Sequence, residues 1–340
     1  MDTRTTLRAT LPVVAAALVL SACSGSSDDA EDAGEALTVY VGRDEELVSP
    51  LIEQFTEETG IEVDARYGDT PELAATLLDE GDATPADVFL SQDAGALGAL
   101  SAEGLLTELD DDLTENVKAD YSSTDGTWIG VTGRARVIAY DSEELDADDV
   151  PDSVKDFTDD EWEGRVGFPP GNASFQAFVT GFRVAEGDEA ARAWLDGMAD
   201  NDHQSYERNS EVLEAVNAGQ LDIGLINHYY WFQSAAESGE DEMRAQLKFA
   251  EAGDPGALVN VTGAGVLSDH PDAQAFMEYL VSEAGQTYFV ENTYEYPLID
   301  GVDAPEGLPT LEELQGPDID LSDLADLETS VTMIEESGLS

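Results

Sequence analysis

The stretch 37-LTVYVGRDEELVSPLIEQFTEETGIEVDARYGDTPELAATLLDEGDATPADVFLS-91 decides the fold. It opens on an apolar, β-rich run, 37-LTVYVG-42. Over 45–60 the apolar residues Leu47, Leu51, Ile52 and Phe55 fall at helical spacing, and Gly60 follows as a stop signal. Next, 61-IEVDARYG-68 alternates like a strand, and 71-PELAATLLDEG-81 has Pro at a helix start and Gly after its end. A third strand, 86-ADVFLS-91, completes the set. This βαβαβ order predicts a parallel sheet with helices on both faces.

The same alternation continues outward. A helical pattern covers 93–104, and strand-like runs lie at 135-ARVIAY-140 and 165-RVGFP-169. Helices are expected over 173–187, 188–200 and 210–219, then a strand at 221-LDIGLIN-227. After 253-GDPGALVNVTGAGVL-267 the spacing predicts one helix over 271–291, followed by 294-YEYP-297. The tail 321–339 has helical apolar spacing and is expected to pack on the body. No internal repeat emerges.

The N-terminus reads as a processing signal: Arg4 and Arg8 precede 11-LPVVAAALVL-20, an apolar run too short to span a bilayer. It ends in 20-LSAC-23, which resembles a bacterial lipobox with Cys23, the only cysteine of the chain, as the lipidated residue. An ordinary secretory signal with a stray cysteine is the alternative. A lone cysteine excludes an internal disulfide framework and any CxxC metal or redox site. Residues 24-SGSSDDAEDAGEA-36 are small, polar and acidic, and read as a flexible tether. The expectation is an exported protein held to the membrane by a lipid anchor.

Charge is the outstanding feature of the composition: 14 Lys and Arg against 75 Asp and Glu, a net −61. Such a surface repels nucleic acid and anionic headgroups, so neither is expected as a partner. The acids are spread along every segment instead of clustering, which reads as a halophilic surface whose self-repulsion strong brine would screen.

In open α/β sheets, ligands bind beyond the carboxyl ends of the strands. Gly42–Asp44, Ser91–Asp93 and Asn227–Tyr230 each lie just past an apolar strand, so a cleft is expected there. Tyrosine keeps its proton at neutral pH, with a pKa near 10, and is a poor ligand for most metals. A trivalent hard cation prefers anionic oxygen and can displace that proton. Tyr229 and Tyr230, on a loop after the strand, could then both reach one ion. On this segment alone, an aromatic core made of Tyr229, Tyr230, Trp231 and Phe232 is the commoner use of such residues.

Six segments carry a family resemblance: 38-TVYVGRDEEL-47, 85-PADVFLSQDAGALGAL-100, 130-GVTGRARVIAYD-141, 206-YERNSEVLEAVNAGQLDIGLINHYYW-231, 253-GDPGALVNVTGAG-265 and 294-YEYPL-298. In order and spacing the chain resembles the ferric-binding proteins of iron ABC-transport systems. The resemblance implies an α/β, two-lobed, type II periplasmic-binding-protein fold. Each lobe has a central mostly parallel sheet flanked by helices, and the ligand cleft lies between lobes. It implies Tyr229 and Tyr230 as ferric ligands and Fe(III) as cargo, with carbonate or phosphate as synergistic anion. The same resemblance places Arg134, Asn172, Ala173, Ser174, Asn209 and Asn227 at the anion. Independently, a guanidinium is a fixed fork suited to an oxyanion, and 171-GNAS-174 at a helix start offers backbone N–H groups. For Arg136, a surface ion pair is the competing role; for Asn209 and Asn227 it is capping and loop hydrogen bonding.

Where some family members have a His ligand this chain has Asp44, and where some have a Glu it has Gln92 followed by Asp93. Asp44 and Asp93 are therefore the candidate carboxylate ligands. Phe175 stands where other members have a further tyrosine. His228 is expected to support the loop and not to bind metal.

The expected organisation is a signal peptide over 1–22, a tether over 23–36, an N-lobe from 37–133 plus 262–308 and a C-lobe from 134–261 plus 309–340. The chain is expected to pass between lobes near Gly133–Val137 and Val259–Gly263. The function implied is a monomeric solute-binding lipoprotein that delivers ferric ion to an ABC permease. A phosphonate, polyamine or thiamine-like solute on the same fold is the alternative cargo. An exported enzyme is disfavoured, since no Ser/His/Asp or Cys/His arrangement and no phosphate loop is present.

Overall fold

The computed structural model describes residues 36–339. Cys23, the leader over 1–22 and the tether apart from Ala36 lie outside the described residues. The expected first unit forms as β1 (Leu37–Val41), α1 (Glu45–Thr59), β2 (Val63–Tyr67), α2 (Thr70–Glu80), β3 (Val88–Ser91) and α3 (Ala94–Ala102). A short α4 (Asp111–Asn116) leads to β4 (Trp128–Asp141), β5 (Val166–Phe168), α5 (Ala173–Glu186) and α6 (Asp188–Asp200). Then come β6 (Gln204–Ser205), α7 (Asn209–Asn217), β7 (Ile223–Asn227), α8 (Tyr229–Ser238), β8 (Ala245–Lys248) and β9 (Val259–Val266). The chain closes with α9 (Ala273–Leu280), α10 (Glu283–Thr293), β10 (Tyr296–Pro297), α11 (Leu311–Leu314) and α12 (Leu327–Ser337).

The strands join in the order β2-β1-β3-β9-β4-β7-β5-β6, with β8 and β10 paired to β4. At one end β1 pairs β2 and β3 in parallel, as the βαβαβ order predicts. At the other, β5 pairs β6 and β7 in parallel. Between these ends β9 and β4 run antiparallel to their neighbours. Fourteen residues long and buried throughout, β4 pairs β9 and β10 with its first half and β7 and β8 with its second.

Strand alternation distributes the core. Ile138 and Tyr140 join a cluster with Phe168, Phe178 and Trp194, capped by Met333 and Ile334 of α12. Val137 and Ala139, on the other face, join Val212, Ile226 and Trp231. The β1–β3 end has its own core, including Phe55, Phe89 and Phe276, with Phe55 and Phe276 packed edge to face at 5.2 Å. Leu321 and Leu324 of the tail belong to this core, ahead of α12. Their approach depends on glycine: a Cβ on Gly95 or Gly98 of α3 would lie 2.5 Å from the carbonyl oxygens of Leu324 and Ser322.

Two of the differences from the sequence expectation concern the strands and helices around β4. The single helix over 271–291 is two helices, broken at Val281–Ser282, where the Ser282 hydroxyl accepts from Gly285 N–H at 3.1 Å and starts α10. The strand at 135–140 begins seven residues earlier, at Trp128. Gly133 within it sits beneath Tyr296, where a Cβ would meet the tyrosine Cβ at 3.2 Å, so it serves close approach within a strand.

Candidate functional site

The site is assembled on the changeover of β4. Arg134 and Arg136 are two apart and so share a face. Register then sets each opposite an asparagine: Arg136 pairs with Asn227 of β7, and Arg134 with Asn260 of β9. Both arginines are buried, each 3% exposed, and among the described residues neither forms an ion pair. Arg136 donates to Asn227 Oδ1 at 3.2 Å, to Asn209 Oδ1 and Ser174 Oγ at 3.4 Å, and to the Leu225 carbonyl at 2.9 Å. Its guanidinium lies over Phe175 and Phe178, 5.8 and 5.5 Å from the ring centres. Burial pulls this guanidinium down to about 9, against the opposing pull of Tyr230 and Tyr229. Arg134 turns the other way and donates to the carbonyls of Gln92 and Val261.

The Nε–H of each arginine has no partner. Both side chains, with Ser174, Phe178, Asn227, Leu258 and Asn260, line a cavity with room for one water-sized occupant. Buried N–H groups left unpaired are uncommon, and here two of them belong to cations that line one cavity.

The α5 N-terminus completes that wall. Asn172 Oδ1 accepts from the Ser174 N–H at 3.0 Å, the Ser174 hydroxyl at 2.6 Å and Asn209 Nδ2 at 3.1 Å. Asn172, Ser174, Asn209 and Asn227 thus converge on Arg136, and Ala173 opens the helix between the first two. Arg136, weighed in the sequence as a surface ion pair, is the arginine at the centre of the cluster. The signal was present in the two-residue spacing on a strand.

Tyr229 and Tyr230 do not lie on a loop. Strand β7 ends at Asn227, His228 already has helical angles, and the tyrosines form the first turn of α8. Neighbours on a helix normally diverge, yet here the rings stack, with centres 4.3 Å apart and planes 29° apart. His228 fixes this turn. Its backbone N–H donates to the Ala135 carbonyl at 3.0 Å, its Nδ1 accepts from Ala135 N–H at 3.1 Å, and its Nε2–H donates to the Tyr294 carbonyl at 2.8 Å. Burial pushes the imidazole down to about 4, so it is neutral with both nitrogens engaged.

Burial drives the Tyr229 phenol well above its ordinary value and Tyr230 adds to this, while Arg134 and Arg43 pull it back. Without a cation the phenol keeps its proton; only a strongly charged guest at that oxygen would displace it.

The candidate carboxylates fare differently. Asp44, at the start of α1, is exposed and makes no capping hydrogen bond. Asp93 caps α3, accepting from Ala96 N–H at 3.1 Å. Its carboxyl is raised by burial, against the helix amides and Arg134. Phe175 is fully buried and stacks on Phe168 at 4.6 Å, so it is part of the core.

One feature escaped sequence reading. Arg43, beside Asp44, pairs with Glu295 at 2.7 Å, both buried. Arg43 also donates to Thr262 of β9, and Thr132 of β4 donates to Glu295. Burial alone would pull Arg43 down and push Glu295 up, but the pairing, with Tyr229 and Asp44 adding at Arg43 and Arg134 and Thr132 at Glu295, outweighs it: Arg43 ends above its ordinary value and Glu295 below.

Known proteins share this arrangement of chain. Residues 83–320 match the family described as bacterial extracellular solute-binding protein. The chain is 35% identical over 314 residues to the Fe(3+)-binding periplasmic protein of Serratia marcescens, covering 91% of this chain and 92% of that one. It is 32% identical to the major ferric iron-binding protein of Neisseria meningitidis serogroup B, over 89% of this chain and 93% of the relative. Among solved structures, iron-bound HitA from Pseudomonas aeruginosa superposes with a TM-score of 0.82 at 34% identity, covering 89% of this chain and 99% of that one. Trichodesmium IdiA (FutA), in complex with iron and citrate, gives 0.77 at 26%, over 90% of this chain and 100% of the other. The fold is therefore the two-lobed type II periplasmic-binding architecture, and these relatives are transport proteins, not enzymes. The chain belongs to the bacterial extracellular solute-binding proteins, among their ferric-binding members.

Proposed function

We propose that this protein captures ferric ion on Tyr229 and Tyr230, together with an oxyanion held by Arg136, Arg134 and the surrounding Asn172, Ala173, Ser174, Asn209 and Asn227. The observation that carries the reading is the stacked phenol pair beside two buried arginines that form no ion pair among the described residues. A trivalent ion supplies the charge that removes both phenolic protons, and the oxyanion meets the charge of the guanidiniums. Carbonate, phosphate or a carboxylate chelate all fit that chemistry. Asp44, free of capping, is the candidate hard oxygen from across the cleft, whereas Asp93 is committed to α3.

The lobes we assign are 37–133 plus 262–308 and 134–261 plus 309–340, with the 321–325 turn moved to the first by the packing of Leu321 and Leu324. Closure about β4 and β9 brings the tyrosines and the Asp44 loop together. Delivery to an ABC permease, anchoring through a lipid on Cys23, a monomeric state and a surface suited to brine complete the proposal. They rest on the family, on the 20-LSAC-23 motif and on the −61 charge.

Ferric nitrilotriacetate or ferric citrate titrated into purified protein should raise a visible phenolate-to-iron charge-transfer band. Tyr229→Phe/Tyr230→Phe should abolish it. A colourless wild type, or a band that persists in the double variant, would transfer the site to an organic or oxyanion solute.

A further inference from the structure

A second cavity, of about 560 Å³, opens behind the tyrosine turn, well within the range of small-molecule sites. Its aromatic walls are Trp231 and Phe232 of α8, Phe249 beyond β8, and Tyr294, with Leu247 and Leu308 between them. Trp231 presents its ring only, since its Nε1–H donates to the Ala245 carbonyl at 2.7 Å. The Phe232 and Tyr294 rings lie 6.1 Å apart and within 24° of parallel.

Tyr294 reaches that position from an unfavourable backbone. It ends α10 with φ at +60°, in the left-handed region where glycine or asparagine is the ordinary choice. The hydrogen bond from His228 to its carbonyl holds it there. Strain of this kind persists where surrounding structure imposes it and is concentrated at ligand sites. Here it turns an aromatic ring toward a cavity instead of into the core.

The charge of the wall selects the guest. Its ionisable groups besides Tyr294 are Glu240 and Glu306, and no basic residue lines it. An anion is repelled. A compact organic cation gains twice, from the electron-rich ring faces and from the carboxylates at the rim. We propose that this cavity is a binding site for a small organic ammonium compound, lined by neither Tyr229 nor Tyr230 and so distinct from the ferric site proposed above. The proposal does not depend on the cargo assigned above.

The test uses the mature chain, with benzyltrimethylammonium as probe and its neutral carbon isostere as control, followed by calorimetry and by ligand-detected NMR. Saturable binding of the cation is expected, with the isostere about tenfold weaker. Phe232→Leu should weaken the cation by a similar factor. Glu240→Gln/Glu306→Gln, on exposed side chains that folding does not need, should weaken it severalfold while leaving the isostere unchanged. Absence of saturation, equal affinity for the isostere, or full affinity in both variants overturns the proposal.

Discussion

Arg43 and Arg136 are buried to a similar degree a short way apart, and the fold treats them in opposite ways. Arg43 has a carboxylate of its own in Glu295, with Thr132 and Thr262 closing the remaining polar positions. Arg136 has only neutral company: three side-chain oxygens, a carbonyl and two phenylalanine faces. Burial lowers the proton affinity of Arg136, whereas at Arg43 the same effect is more than reversed by Glu295 together with Tyr229 and Asp44. The first is an ion pair complete within the protein. The second is a buried cation with no ion-pair partner among the described residues.

The sharpest way to break this comparison is to remove one charge from the complete pair. Glu295→Gln leaves Arg43 buried and unpaired, so a loss of about 3–5 kcal/mol is expected in denaturant unfolding. Arg43→Gln/Glu295→Gln together should recover much of it. Next in size, Arg136→Gln should cost the empty protein about 1 kcal/mol or less, because it also relieves a buried charge. The same change should weaken ferric binding in the presence of phosphate or citrate by at least about tenfold, or about 1.4 kcal/mol. Equal destabilisation by Glu295→Gln and Arg136→Gln would erase the distinction.

The smallest expected effect is a pH dependence. The Glu295 carboxyl titrates lower in the folded state than in the unfolded chain, so the unfolded state takes up protons first as pH falls. Its contribution is complete above the unfolded carboxyl value of about 4.3 and is lost progressively below it. Wild type should therefore lose stability on acidification below about pH 5 more steeply than Arg43→Gln/Glu295→Gln, in parallel urea titrations. Identical acid limbs would place the pair outside the stability balance.

These two arginines also mark how far the sequence could be read. The β1–α1–β2–α2–β3 unit was legible because each helix carries its own apolar stripe, β2 alternates, and β1 and β3 are short apolar runs. Strand β4 was underread: its first half contains Gly130, Thr132 and Gly133, and burial on both faces removes the alternation that identifies a strand. The break between α9 and α10 was hidden because apolar spacing continues through Val281, and only the Ser282 cap interrupts it. At the site, the tyrosine pair came from family resemblance, while its placement on a helical turn follows from His228 bonds to Ala135 and Tyr294. Those partners are 93 and 66 residues distant. The Arg43–Glu295 pair spans 252 residues, and no local pattern announces such a match.

Strand β4 has one further implication. At roughly 3.3 Å per residue its fourteen residues make a beam of about 46 Å, and the two guanidiniums project from its middle. In the function proposed above, the charge sensor and the pivot would be the same length of backbone. An anion bound as proposed would then apply torque directly at the fulcrum, with no intervening linkage to take up slack.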